Sequence, residues 1–253
     1  MNRVLLLSQK PLGEKCFDVL MKKRSHDIKL LGVVSNKSKN VWWNSNNIYQ
    51  KTLNTNIKFI DNSKKNEDEI YQFIIEHKIN LLISVQHSWI LSSKIINSVN
   101  NNAFNLHNAK LPEFKGNNIF SHVILNNKKT HTSTIHYMAK EVDMGDIVLE
   151  REIKVEDDYT SKILYDKAEV NALKLFEEFI HLLETQNTFE RKKISEEGVF
   201  YKKESIEKLK EIENILDFDE VDRKARAFSF PPFEPAFFII NNKKYYVLPE
   251  NAF

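Results

Sequence analysis

Glycine and cysteine are scarce in this chain of 253 residues, which contains five glycines and one cysteine. The single cysteine, Cys16, excludes an intrachain disulfide and any metal site built from several cysteines. A dinucleotide site needs a Gly-x-Gly-x-x-Gly turn after a strand, because the backbone must approach a pyrophosphate closely. The turn after the first predicted strand carries only Gly13, and no glycine-rich loop ends in Lys-Ser or Lys-Thr. NAD-dependent and NTP-hydrolysing enzymes are therefore disfavoured.

The chain also lacks an excess of one charge and a long apolar run. Its 37 Lys and Arg residues and 35 Asp and Glu residues leave a net charge of +2, whereas nucleic-acid binding usually needs a strongly basic surface. No apolar run approaches the roughly 18 residues of a membrane span. The first run, residues 4–7, is too short for a signal peptide and is typical of a strand. We therefore expect a soluble, cytoplasmic protein with neither a nucleic acid nor a membrane as its partner.

Short apolar runs alternate with helical patterns in the first hundred residues. Such runs are typical of parallel strands that helices cover on both faces. The predicted strands are residues 3–8, 28–34, 57–60 and 81–85, and the predicted helices are residues 14–23 and 67–77. We predict an α/β fold, a Rossmann-like open and mostly parallel sheet with helices on both faces. Ligands of such sheets bind beyond the carboxyl ends of the strands, here after Ser8, after Val85 and around Phe104.

The second half of the chain predicts a long helix followed by a small α+β tail. Polar residues 185–193 follow the helical pattern of residues 161–183, so we place a boundary between a main domain, residues 1–190, and a C-terminal region, residues 191–253. Within the tail we expect helices over 203–214 and 218–228, and a β-hairpin of strands 236–240 and 243–248 around Asn-Asn. A two-stranded ribbon cannot bury both faces, and exposed apolar patches usually mark contacts. We therefore expect a homodimer built partly on this hairpin.

Residues 103–150 contain the side chains that favour catalysis. If residues 103–106 form a strand, Asn105 and His107 project to the same side, and an amide and an imidazole converge at a strand end. Asp143 lies between two further predicted strands, 132–138 and 147–149, where its carboxylate can favour the charged form of an imidazole. Each residue alone has a plainer interpretation, as a buried or surface histidine, a turn asparagine or a hairpin turn. The combination is rare.

The pattern of these residues resembles that of the folate-dependent formyltransferases. This family includes glycinamide ribonucleotide formyltransferase, methionyl-tRNA formyltransferase and the sugar N-formyltransferases. The residues that match its motif Asn-x-His, Leu-Leu-Pro-x-x-x-Gly, Asp-x-Gly-Asp are Asn105, His107, Leu111, Pro112, Gly116, Asp143, Gly145 and Asp146. Lys110 replaces the first leucine, which alters no catalytic group. The resemblance covers residues 1–190 and implies transfer of a formyl group from N10-formyltetrahydrofolate to an amine.

The needs of formyl transfer agree with these side chains. The tetrahedral intermediate bears an oxyanion, which requires hydrogen-bond donors, and the Asn105 amide and His107 can supply them. A proton must also leave the attacking amine and reach the folate nitrogen. His107 is the expected carrier, with its basicity supported by Asp143. Neither a metal nor a covalent enzyme intermediate is needed.

The resemblance also implies where folate binds. In the family, folate lies against the loop after the fourth strand and against the loop that leads to the catalytic Asp, held largely through backbone groups. Counted from Asn105 without gaps, the expected folate-binding residues are Trp89, Ile90, Leu91, Asn117, Ala139, Lys140, Glu141, Val142 and Asp143. Trp89 by itself could equally be a core aromatic.

Three acceptors for the formyl group compete. The methionyl-tRNA enzymes carry a larger C-terminal barrel that helps to grip tRNA, and the tail here is short and acidic to neutral between Glu196 and Asp222. The purine-pathway enzyme is typically a single domain and would leave residues 190–253 unexplained. Short members of the sugar class carry a tail segment that residues 226–236, Arg-Ala-Phe-Ser-Phe-Pro-Pro-Phe-Glu-Pro-Ala, resemble closely. The sugar class therefore fits best.

We therefore expect formylation of a nucleotide-linked, specifically dTDP-linked, amino-dideoxy sugar for O-antigen or another surface polysaccharide. Gln9, Lys10 and Gln86 follow strand ends and are expected near its pyrophosphate. Phe230 and Phe233, in a segment stiffened by two prolines, are expected to stack on the base or the sugar, although a structural proline–aromatic turn is an equal interpretation. The alternatives are an enzyme like methionyl-tRNA formyltransferase and a non-catalytic module that binds folate or a sugar nucleotide.

Overall fold

The computed structural model describes residues 1–23, 27–37, 43, 48–186, 189–194 and 197–250. The strands are β1 (Asn2–Ser8), β2 (Ile28–Ser35), β3 (Lys58–Asp61), β4 (Leu81–Val85), β5 (Ala103–His107), β6 (Phe114–Gly116), β7 (Thr130–Tyr137), β8 (Ile147–Lys154), β9 (Val199–Tyr201), β10 (Ala236–Ile240) and β11 (Lys243–Val247). The α-helices are α1 (Lys10–Lys22), α2 (Ile48–Thr52), α3 (Glu67–Glu76), α4 (Ser93–Asn97), α5 (Ile119–Leu125), α6 (Ser161–Thr185) and α7 (Phe218–Ala227). Two 3-10 helices span Asn62–Lys64 and Lys203–Leu209.

Seven strands form one sheet in the order β3-β2-β1-β4-β5-β7-β8. The first five strands in this order pair in parallel, and β7 pairs antiparallel with β5. The mostly parallel open sheet expected from the sequence is confirmed. The chain moves outward from β1 to β3 and then returns to place β4 on the other side of β1, which makes the carboxyl ends of β1 and β4 a topological switch point.

Helices cover both faces of this sheet, as β1 shows most clearly. Val4 and Leu6 belong to one apolar cluster, together with Phe17 of α1 and Phe176 and Phe179 of α6. The alternate residues Leu5 and Leu7 belong to a second cluster with residues of α3 and α4. Because successive strand side chains point to opposite faces, an unbroken apolar run is the sequence that such a doubly covered strand requires.

The described residues form two compact units. The first lies within Met1–Asn108, Ser133–Arg151 and Ala172–Ser195, and the second lies within Ala109–Thr132, Glu152–Asn171 and Glu196–Phe253. The second unit thus combines the tail with segments from the middle of the chain. The expected division into residues 1–190 and 191–253 stays a prediction.

The second unit contains a small core and the expected hairpin. Its core includes Phe114, Leu164 and Phe228, and β6 pairs with β9 in parallel. Strands β10 and β11 pair antiparallel, and Asn241 and Asn242 between them have φ values of +49° and +59°. These values confirm the predicted tight turn, because a type I′ turn needs φ > 0 at both central residues.

Two predicted helices differ from those in the structure. Helix α1 begins at Lys10 instead of residue 14, because Pro11 suits the first helical turn, where no intrahelical N–H bond is lost. The predicted helix over residues 203–214 is wrong, since only a 3-10 helix, Lys203–Leu209, forms there. The N–H of Ile212 instead donates to the carbonyl of Phe237 at 2.7 Å, so the segment pairs with the hairpin. Among the described residues, no helix combines the length and apolarity that crossing a bilayer demands.

Candidate active site

Strand β5 presents Asn105 and His107 on the same side, as the sequence predicts. Phe104 and Leu106 are buried, whereas Asn105 and His107 are half-buried, so burial alternates along the strand. Leu106 and Phe104 anchor the strand in the apolar core of the first unit. The polar pair therefore lies at the carboxyl end of a strand that pairs with β4 on one side and β7 on the other.

Asp143 lies in the loop between β7 and β8 with a φ of +56°. Aspartate tolerates this left-handed conformation better than most residues, because its short side chain can bond locally. The loop is closed by a hydrogen bond from the N–H of Tyr137 to the carbonyl of Asp146 at 2.9 Å. Gly145 is required there, since a Cβ at this position would lie 1.8 Å from the carbonyl oxygen of Tyr137. The Asp-x-Gly-Asp motif is therefore a loop that aims a buried carboxylate.

The structure brings the three predicted catalytic residues together, with His136 among them. Nε2 of His107 lies 3.8 Å from Oδ2 of Asp143, and Nε2 of His136 lies 3.6 Å from Oδ1 of the same carboxylate. Nδ2 of Asn105 lies 3.1 Å from Nε2 of His136. One buried carboxylate thus faces two imidazoles, and one of these imidazoles faces the amide.

His136 is the residue of this cluster that the sequence analysis missed. Burial lowers its pKa to about 4, an effect that the Asp143 carboxylate opposes and His107 reinforces. His136 is therefore neutral near pH 7. It lies directly opposite Asn105 in the antiparallel pair of β5 and β7. The two residues are 31 positions apart and become neighbours only through the register of this strand pair. The sequence alone does not reveal that register.

The loop after β4, residues 86–92, is held by a network of side-chain hydrogen bonds. Gln9 and Asn62 both donate to Oγ of Ser88, from their amide nitrogens at 3.1 Å and 3.3 Å. Nε1 of Trp89 donates to Oδ1 of Asn62. These contacts join the segments after β1, β3 and β4. Trp89 is half-buried, and its hydrogen bond to Asn62 holds the orientation of its indole ring.

The two expected folate loops of the first unit have free surface suited to a flat ligand. Ile90 is 68% exposed, whereas Leu91 is buried and anchors the loop. His87 packs against Trp89, with ring centroids 4.8 Å apart, and its two ring nitrogens have no hydrogen-bond partner among the described residues. The residues of the second loop comprise exposed Ala139, Lys140 and Glu141, half-buried Val142 and buried Asp143. The apolar surface of Ile90 and the exposed residues 139–141 fit a flat ligand with hydrogen-bonding edges.

The residues expected to bind the nucleotide sugar have different surroundings. Gln9 is buried, and its amide nitrogen bonds Ser88, while Lys10 and Gln86 are half-buried with φ values of +58° and +54°. In the second unit, Phe230 packs edge-on against Tyr165, with ring centroids 5.3 Å apart, and Phe233 is 52% exposed. The assignments of all five residues to the acceptor stay predictions.

Two remaining observations concern the folate and metal assignments. Asn117 is exposed in the second unit, and its backbone N–H donates to the carbonyl of Tyr201 at 2.9 Å. Its predicted role in folate binding is not tested by this contact. Within the described ranges, no group of three or more His, Cys, Asp and Glu side chains is arranged to hold a metal ion.

Sequence comparison identifies relatives of this chain. The chain is 31% identical over 156 residues to the bifunctional polymyxin resistance protein ArnA of Wigglesworthia glossinidia brevipalpis, which covers 62% of this chain and 22% of that protein. It is 28% identical over 192 residues to the GDP-perosamine N-formyltransferase of Brucella melitensis, which covers 76% of this chain and 73% of that protein. The chain thus spans under a quarter of one of these relatives and nearly three quarters of the other.

Solved structures with the same fold include sugar N-formyltransferases. A 4-N formyltransferase from Francisella tularensis matches with a TM-score of 0.80 and 24% identity, over 98% of this chain and 96% of that one. An N-formyltransferase from Helicobacter canadensis, solved with folinic acid and dTDP-3-aminofucose, matches with a TM-score of 0.76 and 21% identity, over 96% of this chain and 86% of that one. The family model described as formyl transferase matches residues 2–180. The chain belongs to the formyl transferase family.

Proposed function

We propose that the protein transfers the formyl group of N10-formyltetrahydrofolate to the amine of a nucleotide-linked amino sugar, as a cytoplasmic enzyme of surface-polysaccharide synthesis. The observation that carries this proposal is the convergence of Asn105, His107 and Asp143, with Nε2 of His107 3.8 Å from Oδ2 of Asp143. An amide donor, an imidazole and a buried carboxylate are the groups that acyl transfer to an amine requires.

Each side chain has a defined task in this chemistry. When bound, the folate co-substrate supplies the formyl carbon. The Asn105 amide donates a hydrogen bond to the formyl oxygen as negative charge develops on it, and the imidazole of His107 can donate as well once it is protonated. His107 accepts the proton of the attacking amine and passes it to the folate nitrogen as the bond between that nitrogen and the formyl carbon breaks. The carboxylate of Asp143 stabilises the intervening imidazolium. Because Asp143 is buried, its attraction for that imidazolium is weakly screened by solvent.

The folate assignment is supported by the two loops of the first unit. Ile90 offers apolar surface, and residues 139–141 are exposed, so their backbone groups are candidate donors and acceptors for the pterin edge. The Helicobacter canadensis relative of this fold was solved with folinic acid, a formylated folate. Trp89 supports the loop through Asn62, which agrees with a folate site that depends on backbone groups.

For the acceptor we propose a dTDP-linked amino-dideoxy sugar. The Helicobacter canadensis enzyme holds dTDP-3-aminofucose, and the Brucella melitensis relative acts on GDP-perosamine, so both support a nucleotide-linked amino sugar. Phe233 has the exposure that stacking on a base needs. We also propose a homodimer that buries the outer residues of the hairpin.

The test is to incubate the purified protein with formyl-folate and a panel of dTDP-, UDP- and GDP-linked amino sugars. Mass spectrometry should find one acceptor that gains a formyl group, with the dTDP-linked compounds consumed fastest. If only a GDP-linked amino sugar were consumed, formyl transfer to a nucleotide-linked sugar would be supported and the proposed dTDP base would be wrong. Formylation of charged initiator tRNA, with no sugar product, would favour the methionyl-tRNA alternative. Binding of both ligands without product would favour a non-catalytic module.

A further inference from the structure

We propose that His136 is a positioning residue, which fixes the orientation of the Asn105 amide so that its NH2 group serves formyl transfer. The inference rests on the proposed role of Asn105 as a hydrogen-bond donor. It assigns a task to a buried histidine that the proposed reaction does not use directly.

The hydrogen bond to Tyr137 determines which nitrogen of His136 carries the proton. Nδ1 of His136 lies 2.8 Å from the carbonyl oxygen of Tyr137. A carbonyl oxygen only accepts hydrogen bonds, so Nδ1 must be the N–H donor. In a neutral imidazole, Nε2 then has a lone pair and only accepts.

This tautomer determines the orientation of Asn105. Nε2 of His136 lies 3.1 Å from the side-chain amide of Asn105, which is a hydrogen-bond distance. Because Nε2 is the acceptor of this bond, the amide must contribute the donor. Nδ2 of Asn105 must therefore face His136, because the reversed amide would set two acceptor lone pairs against each other. An NH2 group has two hydrogens, so one can bond His136 while the other serves the formyl oxygen.

The surroundings of His136 maintain this arrangement. Its side chain is 2% exposed, so burial disfavours a second proton, and so does His107, whose ring centroid lies 6.4 Å away. The Asp143 carboxylate, 3.6 Å from Nε2, opposes these two effects but is outweighed by them. Burial lowers the pKa of His136 to about 4, so the neutral form persists at the pH of the cytoplasm. Gly145 lets its loop approach the Tyr137 carbonyl, the same group that accepts the hydrogen bond from Nδ1 of His136. Both ring nitrogens are occupied, so His136 acts through Asn105 and not on substrate.

A matched pair of substitutions separates positioning from packing. His136→Gln places an amide oxygen at the ε position, where it can still accept from Asn105, but loses the donor to Tyr137. His136→Asn keeps a donor at the δ position and loses the acceptor. We expect His136→Asn to lower kcat about tenfold or more relative to His136→Gln, with similar KM values for both substrates. A merely structural role predicts equal losses, or a larger loss for His136→Gln, and either result would overturn the proposal.

A double-mutant cycle tests whether the effect passes through Asn105. In an Asn105→Ala background, His136→Asn should cause no further loss of kcat, because the amide it positions is gone. An undiminished tenfold loss in that background would show a route that bypasses Asn105. Full activity of Asn105→Ala itself would contradict the proposed catalytic role of Asn105, and with it the task of His136.

A third measurement is made on the wild-type protein, so it depends neither on the folding of a variant nor on an activity assay. Nitrogen NMR of the wild-type protein with labelled histidine should show His136 with a protonated Nδ1 and an unprotonated Nε2 near neutral pH. The opposite tautomer, or an imidazolium, would refute the orientation argument even if the catalytic role of Asn105 stands.

Discussion

Nε2 of His107 lies 3.8 Å from Oδ2 of Asp143, which is 9% exposed. The two residues come from different elements, the end of β5 and the loop after β7. Strand pairing places His107. Asp143 is placed by its own left-handed backbone conformation and by Gly145, where a Cβ would lie 1.8 Å from the carbonyl oxygen of Tyr137. The proximity therefore depends on the sheet and on the Asp-x-Gly-Asp loop together.

Replacing the carboxylate by an amide should remove the charge without moving the loop. Asn tolerates the φ of +56° at position 143, so Asp143→Asn should fold normally. We expect kcat/KM to fall about a hundredfold, because His107 loses the charge that stabilises its imidazolium. Steady-state kinetics measures this, and Asp146→Asn, in the same motif, is the control. Similar activities of the two variants would contradict the role given to Asp143.

Gly145 should be far more sensitive to a methyl group than Gly13. A Cβ at position 145 would lie 1.8 Å from a backbone carbonyl, whereas at position 13 the nearest atom, 2.4 Å away, is the movable hydroxyl of Ser8. Gly145→Ala should lower the free energy of unfolding by about 3 kcal/mol or more, and Gly13→Ala by less. Denaturant unfolding compares them. If the two variants were equally stable, the loop of Gly145 could move away from Tyr137 without a loss of folding free energy, and the prediction would be wrong.

The two phenylalanines of the tail segment should differ in what they affect. Phe233 is exposed, so Phe233→Ala should raise the KM for the nucleotide sugar several-fold and leave the KM for formyl-folate and the melting temperature nearly unchanged. Phe230 packs against Tyr165, so Phe230→Ala should also lower the melting temperature. Equal effects of Phe233→Ala on both KM values would remove the acceptor role.

The hairpin should mediate a homodimer. Ile239, Ile240, Tyr245 and Tyr246 are 46–55% exposed, and so much apolar surface on a two-stranded ribbon usually marks a contact. Light scattering at micromolar concentration should report a dimer. Ile240→Glu should shift the protein toward monomer, while Ile75→Glu, at an equally exposed position on α3, should not. A monomeric wild-type protein would refute the prediction.

The sequence predicted those features that depend on local spacing. Apolar runs identified β1, β2 and β4, and the two-residue spacing placed Asn105 and His107 on one side of β5. His136 could not be recognised in this way, because its position opposite Asn105 depends on the pairing of strands about thirty residues apart. The helix predicted over residues 203–214 was wrong for a related reason. The spacing of its charged and apolar residues is that of a helix, but the N–H of Ile212 donates to the carbonyl of Phe237, far away in the sequence, instead of to a carbonyl of its own helix.

The most direct test of the account is the yield of formylated nucleotide sugar from the wild-type protein and from His107→Asn and Asn105→Ala. His181→Asn, at an exposed helical position, is the control. We expect product from the wild type and the control, and at least a hundredfold slower formation by both site variants, with melting temperatures close to that of the wild type. Either site variant working at more than about half the wild-type rate, a loss of well under 1 kcal/mol in transition-state stabilisation, would contradict it.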